Sequence, residues 1–499
     1  MRKKRIFQNI IVGILSKLVI LVLGIVIPRI IMLNYGSDTN GLTTTISQIF
    51  TYIALLESGI GQAAQNALYP YLKKKDKTGI SFVLSIARRY FRRISLLYFV
   101  IVICLAAALP FILKTNVDNI SIFFYCFFEG LTSMVAFYFT STWVFFLNAN
   151  GKSYFTNAMV LFSNILCYGV KIVLVCMGMN IALIQAGYFA VSLCSLCVYS
   201  IYMKKNYGWI DYKAAKKNDK LKDRNSYLLT EIAGVVFNST DMIILSIFVS
   251  TAMSSVYSTY NMVFVALATL IDSAYLSIKY LLGQSYNVDR TLYIKYHDIF
   301  NSFFVGLTTS FMCVAYIFII PFIRLYTKGV NDVNYIYPWL PLMFCLVKLL
   351  DRIRIVSGNL TGLAGYAKKV SVISLVEAFL NLTLSLIFVQ IWGINGVLVA
   401  TVGALPIKVI YVNYLADIVI LKRSLCKTLK IYGINFLIFG TTVVVSIFLK
   451  PSINSYFVFF LYGIILSLIF VSLSLVFNSL VNRDLLNFIG GIINRHKKR

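Results

Sequence analysis

Apolar runs long enough to cross a bilayer recur from one end of this sequence to the other. They lie at 9–33, 42–70, 94–113, 120–147, 156–177, 181–203, 227–249, 255–280, 299–323, 335–357, 369–391, 396–421, 431–449 and 456–478. An α-helix rises 1.5 Å per residue, so about 20 apolar residues cover the ~30 Å of hydrocarbon. Soluble domains are about 45–50% apolar and about 25% charged. This chain is 59% hydrophobic and 13% charged, more apolar surface than a water-soluble fold can hide. The expected fold class is an all-α polytopic membrane protein of about 14 transmembrane helices.

Charge sets the orientation. The sequence holds 46 Lys and Arg against 18 Asp and Glu, a net charge of +28. In a soluble chain that balance would suggest nucleic acid as a partner. Here the positions of the charges exclude it. With the N-terminus cytoplasmic, the inside segments carry 35 basic residues, and the outside segments carry only Lys114, Arg324, Lys328 and Lys450. The asymmetry alternates with every crossing, which fits an even number of spans with both termini in the cytoplasm. The first run, after Met1-Arg2-Lys3-Lys4-Arg5, exceeds a signal-peptide core of about 7–15 residues and reads as a retained span. Two basic segments stand out, 73–93 and 204–226. Both fit cytoplasmic placement and contact with anionic membrane lipid. The second separates six spans from eight and is the natural linker between an N-terminal lobe, 1–203, and a C-terminal lobe, 227–421. Residues 422–499 supply two further spans and a basic tail.

Ionisable groups inside spans are costly and mark interior faces or hydrated cavities. The basic ones are Lys17, Arg29, Lys171, Lys348, Arg352, Arg354 and Lys408; the acidic ones are Glu57, Glu129, Glu231, Asp241, Asp272, Asp351, Glu377 and Asp417. Arg354 and Asp417 lie near span ends and are expected to snorkel. Helical spacing places Lys17, Gly24 and Pro28 on one face of the first span. Glu231, Gly234, Asn238 and Asp241 form a polar stripe on the seventh. Lys348, Asp351 and Arg352 share a face of the tenth, where one acid cannot neutralise two cations. Lys408 falls near mid-bilayer and Lys171 in the outer half of the fifth span. Each could be a structural ion pair. Alternatively, cations from several helices converge on a cavity of positive potential, suited to phosphate, pyrophosphate or an acidic sugar.

Other chemistry is sparse. Cys194 and Cys197 have C-x-x-C spacing, but His297 and His496 are the only histidines, so no metal or redox centre and no cofactor is expected. His297-Asp298 has no second catalytic partner, the outside loops are too short for a polymerase or transferase site, and no glycine-rich phosphate loop signals ATP. A transporter is expected, not an enzyme. Gln48-Ile49-Phe50 aligns with Met262-Val263-Phe264, a match that suits a duplicated six-span unit without establishing one.

Particular segments carry a resemblance. Ile27-Pro28-Arg29-Ile30-Ile31, Tyr35-Gly36-Ser37, Asn40-Gly41-Leu42 and Leu55-Leu56-Glu57-Ser58-Gly59-Ile60-Gly61 resemble the N-terminal pattern of bacterial polysaccharide flippases. These are the Wzx-type oligosaccharide-lipid transporters of the multidrug/oligosaccharidyl-lipid/polysaccharide superfamily. Thr240-Asp241-Met242-Ile243-Ile244, the stretch Asn359 through Gly365, and Trp392-Gly393-Ile394-Asn395-Gly396 are similar to later segments of that family. The resemblance implies two pseudo-symmetric six-helix lobes plus two C-terminal helices. It implies alternating-access flipping of undecaprenyl-pyrophosphate-linked oligosaccharide in the cell membrane, for capsule, exopolysaccharide or O-antigen. A polysaccharide polymerase and a chain-length regulator would be partners. Lys17, Arg29, Lys171, Lys348, Arg352 and Lys408 are then cavity candidates, and Asp241, Glu377 and Asn381 coupling-ion candidates. Two readings stay open within the superfamily: a lipid-linked peptidoglycan precursor flippase, and a multidrug antiporter, which the cations of the first span disfavour.

Overall fold

The computed structural model describes residues 2–54, 60–214, 240–448, 453, 455–488 and 490, and among them every regular element is helical. The chain is an all-α polytopic membrane protein. Among the described residues, eleven helices are long and apolar enough to cross a membrane. Among the remaining sequence runs, the second begins in the same 40-residue span as the first, the seventh is described only from residue 240 onward, and the tenth is broken in two. By their internal packing the residues form two compact units, Met1–Ser255 and Val256–Arg499.

The first unit opens with α1 (Arg2–Ala54), followed by α2 (Ile60–Lys74) and α3 (Lys77–Ile112). The helix α1 changes direction at Gly36, whose φ of 83° lies in the region that side chains disfavour. That glycine separates the first two apolar runs. The helix α3 starts at Asp76, whose carboxylate accepts from the backbone N–H groups of Thr78 and Gly79 and caps the orphan donors of the first turn. Next come α4 (Asn119–Val135), a π-helical turn at Ala136–Thr140, α5 (Ser141–Ala149), α6 (Ser153–Cys176), α7 (Ile181–Tyr207) and α8 (240–248). Leu42, Ile46, Phe50, Tyr98, Val102 and Ile122 make the apolar centre. Small polar residues bring α8 close to α1: Thr45 Oγ1 and Ser246 Oγ are 2.6 Å apart, and Asn40 donates to Ser255 Oγ at 2.8 Å. A Cβ at Gly41 would collide with the Thr251 carbonyl, so only glycine permits this approach.

The second unit contains most of α9 (Thr251–Val288), then α10 (Arg290–Tyr326), α11 (Leu340–Arg352) and α12 (Ile355–Leu363). It continues through α13 (Ala367–Trp392), α14 (Ile394–Tyr414), a π-helical turn at Leu415–Ile420, α15 (Cys426–Ser446) and α16 (Tyr456–Val481). Ile271, Tyr275, Phe300, Phe304, Val356 and Leu360 form its apolar centre. Polar side chains join the last two helices to the unit. Asn435 donates to Asn478 Oδ1 at 2.8 Å, and Asn482 donates to Ser302 Oγ at 3.1 Å. The rest of α16 exposes Phe457, Phe460, Leu468, Val476 and Leu480, as a surface solvated by lipid tails requires.

Candidate functional site

The tenth apolar run does not form one straight helix. It breaks after Arg352, and α12 begins at Ile355. Inside a bilayer the carbonyls released by such a break need partners. Tyr432 of α15 donates to the Ile353 carbonyl at 2.9 Å, and Ser357 of α12 donates to Asn413 of α14 at 2.8 Å. The break leaves Asp351 and Arg352 at the end of α11 and Arg354 in the turn that precedes α12.

Two carboxylates, Asp272 and Asp351, meet the two arginines. Arg352 reaches Asp272 of α9 at 3.1 Å and Asp351 at 3.7 Å, while Arg354 donates to Asp351 at 2.5 Å. On α13 and α14, Lys408 pairs with Glu377 at 3.2 Å, and the Glu377 carboxylate is almost wholly buried. The two pairs share one field. Lys348, Arg354 and Lys408 all act electrostatically on Asp351, and Arg354 acts on both Glu377 and Lys408. Four cations, Lys348, Arg352, Arg354 and Lys408, therefore face three carboxylates, Asp272, Asp351 and Glu377, among the described residues. One positive charge is in surplus. Glu377 lies ten residues along α13, about 15 Å from its start and well within the hydrocarbon layer. Hydrogen-bonding capacity is also left over: Arg352 Nε, Arg354 Nε and Glu377 Oε1 are buried with no hydrogen-bond partner among the described residues. Beside them Asn381 donates to Thr401 Oγ1 at 3.3 Å and accepts from Ser385 Oγ at 2.9 Å.

The first unit holds a smaller, balanced network. Lys171, buried on α6, donates to Gln185 Oε1 at 3.2 Å, and the amide of Gln185 donates in turn to Glu129 of α4. The Lys171 ammonium also sits 5.6 Å from the ring centre of Tyr125 and 5.5 Å from that of Tyr188, a cation–π setting. This lysine is matched by Glu129 through an amide. Lys17 lies on an exposed face of α1, and Arg29 is half-buried further along the same helix. Asp241 is buried on α8, next to Thr240, whose hydroxyl hydrogen-bonds Tyr52. Glu57, Glu231, Gly234 and Asn238 lie outside the described residues.

Two expectations are corrected. Arg354 does not snorkel but pairs with Asp351, and Asp417 is fully buried. Asp417 accepts from Arg423 at 2.8 Å and from Thr428 Oγ1 at 2.5 Å, and Arg423 also binds Asp298 at 2.7 Å. Lys427 completes that cluster with a 2.7 Å bond to Asp298, beside the buried ring of His297. It ties α10, the π-helical turn and α15 together. The signal in the sequence was the pairing of buried acids with a basic loop at 422–430, but spacing alone does not reveal which acid meets which base.

No family model matches the sequence, and no curated protein matches it. Solved structures do share its fold. The lipid II flippase MurJ in an inward closed conformation superposes with a TM-score of 0.69, at 16% identity, over 95% of this chain and 100% of that one. An inward-facing multidrug resistance MATE-family transporter of the MOP superfamily gives 0.63 at 13% identity, over 78% and 92%. A MOP-superfamily transporter from Pyrococcus furiosus, described by the reverse polarity of its binding pocket, gives 0.54 at 13%, over 82% and 94%. The fold is that of the MOP-superfamily transporters.

Proposed function

We propose that this protein is a flippase that carries an undecaprenyl-pyrophosphate-linked oligosaccharide from the inner to the outer leaflet of the cell membrane by alternating access, for surface polysaccharide. One observation carries the reading: the charge network of the second unit holds a surplus cation and buried guanidinium N–H groups with no hydrogen-bond partner among the described residues. A cationic drug would be repelled there. An anionic phosphate head gains charge-assisted hydrogen bonds from those arginine forks. The likeness to the fold of a lipid II flippase supports the same class of cargo. A peptidoglycan precursor carries the same pyrophosphate, so the test must separate the two polymers.

The test uses Lys348→Ala, Arg352→Ala and Lys408→Ala, made singly in the producing cell, with surface polysaccharide and membrane-embedded protein both quantified. Loss of one charged hydrogen bond to the head group is worth about 1.5–3 kcal/mol, so export per membrane-embedded protein should fall roughly 10- to 150-fold. Normal polysaccharide in all three variants would overturn the reading. Lysis with intact polysaccharide would instead assign the precursor of the cell wall.

A further inference from the structure

The basic segment 73–93 contains a pair of arginines with no role in the network above. Arg88 and Arg92 are four residues apart on α3 and so share one face of the helix. Both are half-buried. The groups that act electrostatically on Arg88 are Arg92, Tyr212 and Tyr138, with no carboxylate among them. Neither arginine forms an ion pair among the described residues, and Arg92 Nε is buried without an acceptor. Like charges at this spacing repel, and no carboxylate among the described residues pairs with either arginine to offset the contact.

Aromatic rings fix the geometry. The Arg88 guanidinium lies 4.0 Å from the ring centre of Tyr212, and that of Arg92 lies 4.9 Å from the ring centre of Tyr138. Tyr138 stands in the π-helical turn at Ala136–Thr140. Tyr212 is held in place because Trp143 Nε1 donates to its hydroxyl at 2.9 Å, and because Asp211 N donates to Ser81 Oγ at 3.2 Å. A guanidinium stacked on a ring keeps its in-plane N–H groups free for an acceptor. Two such forks side by side match the several oxygens of a phosphate or pyrophosphate. Clamping the segment after α7 would need only one cation on one ring, as Lys77 does 5.5 Å from Trp209. It would not place two arginines against each other.

We infer that Arg88 and Arg92 form a binding site for a phosphate or pyrophosphate group, separate from the charge network of the second unit. The group is carried by a lipid head or is free in solution. This site stands whether or not the proposed cargo is right.

The test is calorimetric titration of the full-length protein in phosphatidylcholine nanodiscs with inorganic pyrophosphate and with farnesyl pyrophosphate. Wild type should bind saturably, and Lys408→Ala, which reports on the second unit, should keep the component of binding that R88Q/R92Q loses. R88Q/R92Q should bind at least ~10-fold more weakly, as expected when charged hydrogen bonds are lost. R88K/R92K, which keeps both charges and guards against misfolding, should bind several-fold more weakly because a lysine lacks the fork. Tighter binding of farnesyl than inorganic pyrophosphate identifies a lipid head; equal binding identifies the free ion. The inference is overturned if wild type shows no saturable binding, or if R88Q/R92Q or R88K/R92K binds as wild type does. It is also overturned if binding appears only in phosphatidylglycerol nanodiscs and is insensitive to all four substitutions. Loss of binding in Lys408→Ala alone would place the ligand in the second unit and overturn this site while leaving the flippase reading standing.

Discussion

At the scale of single residues, Glu377 and Lys408 show how a membrane protein keeps charges where they are expensive. Each alone would pay the full desolvation penalty of an ion in hydrocarbon. At 3.2 Å they compensate each other, and Arg354 and Asp351 extend the field. Removing one partner leaves the other buried and uncompensated, an effect of about 3–5 kcal/mol for buried pairs. Glu377→Gln and Lys408→Met should therefore each lower the melting temperature of the purified protein sharply. The double variant should recover much of the loss. A double variant as damaged as the sum of the singles would show that the pair is not coupled in the folded protein. Much of this was legible beforehand. Lys408 near mid-bilayer and the face shared by Lys348, Asp351 and Arg352 follow from helical spacing. That Asp272 meets Arg352 does not, because helical periodicity orders neighbours within one helix, whereas contacts between helices depend on packing angles that the spacing leaves undefined. For the same reason the expectation of snorkelling failed at Arg354 and Asp417. Both lie near span ends, but each has an opposite charge within reach on its own or a neighbouring segment.

At the scale of elements, boundaries follow from local chemistry that the sequence displays openly. Gly36 divides the first two spans because its backbone takes a conformation other residues avoid. The interruption after Arg352 has no glycine or proline to announce it. It is sustained by Tyr432, Ser357 and Asn413 from three different helices, so only the assembled unit reveals it. Helix starts are the most readable. Asp289 caps α10, accepting from Thr291 Oγ1 at 2.6 Å, from Thr291 N at 2.8 Å and from Leu292 N at 3.3 Å. The Thr291 hydroxyl first, then the backbone N–H groups of Leu292 and Thr291, hold its carboxyl below the ordinary carboxylate range. A carboxyl lowered on folding stabilises fully above its unfolded value of about 3.9 and loses that contribution as pH falls through the folded value. Asp289→Ala should thus lower the melting temperature at neutral pH, and the gap to wild type should narrow below about pH 4. A gap of constant size down to pH 3 would mean that the carboxylate charge contributes nothing to the cap.

At the scale of the whole molecule, the distribution of basic residues proposes a topology, while the helical architecture supplies candidate crossings without assigning them sides. Charge asymmetry assigns sides to the loops without any knowledge of packing. The helices give the crossings without any knowledge of charge. The connection after α10 is short: Thr327 through Val330 turn back and Lys328 is exposed. The asymmetry places this turn outside, and it places the segment 204–226 inside with its eight basic residues. The surplus of positive charge in that segment resists transfer across an energised membrane, which is the physical origin of the asymmetry. A cysteine at Lys328, in a variant otherwise free of its nine native cysteines, should react with an impermeant maleimide applied to intact cells. A cysteine at Lys217 should react only after the membrane is opened. The reverse pattern would invert the protein in the membrane, and the direction proposed for its cargo would fall with it. Labelling of both from outside would require an even number of crossings between them, against the three apolar runs that separate them in the sequence.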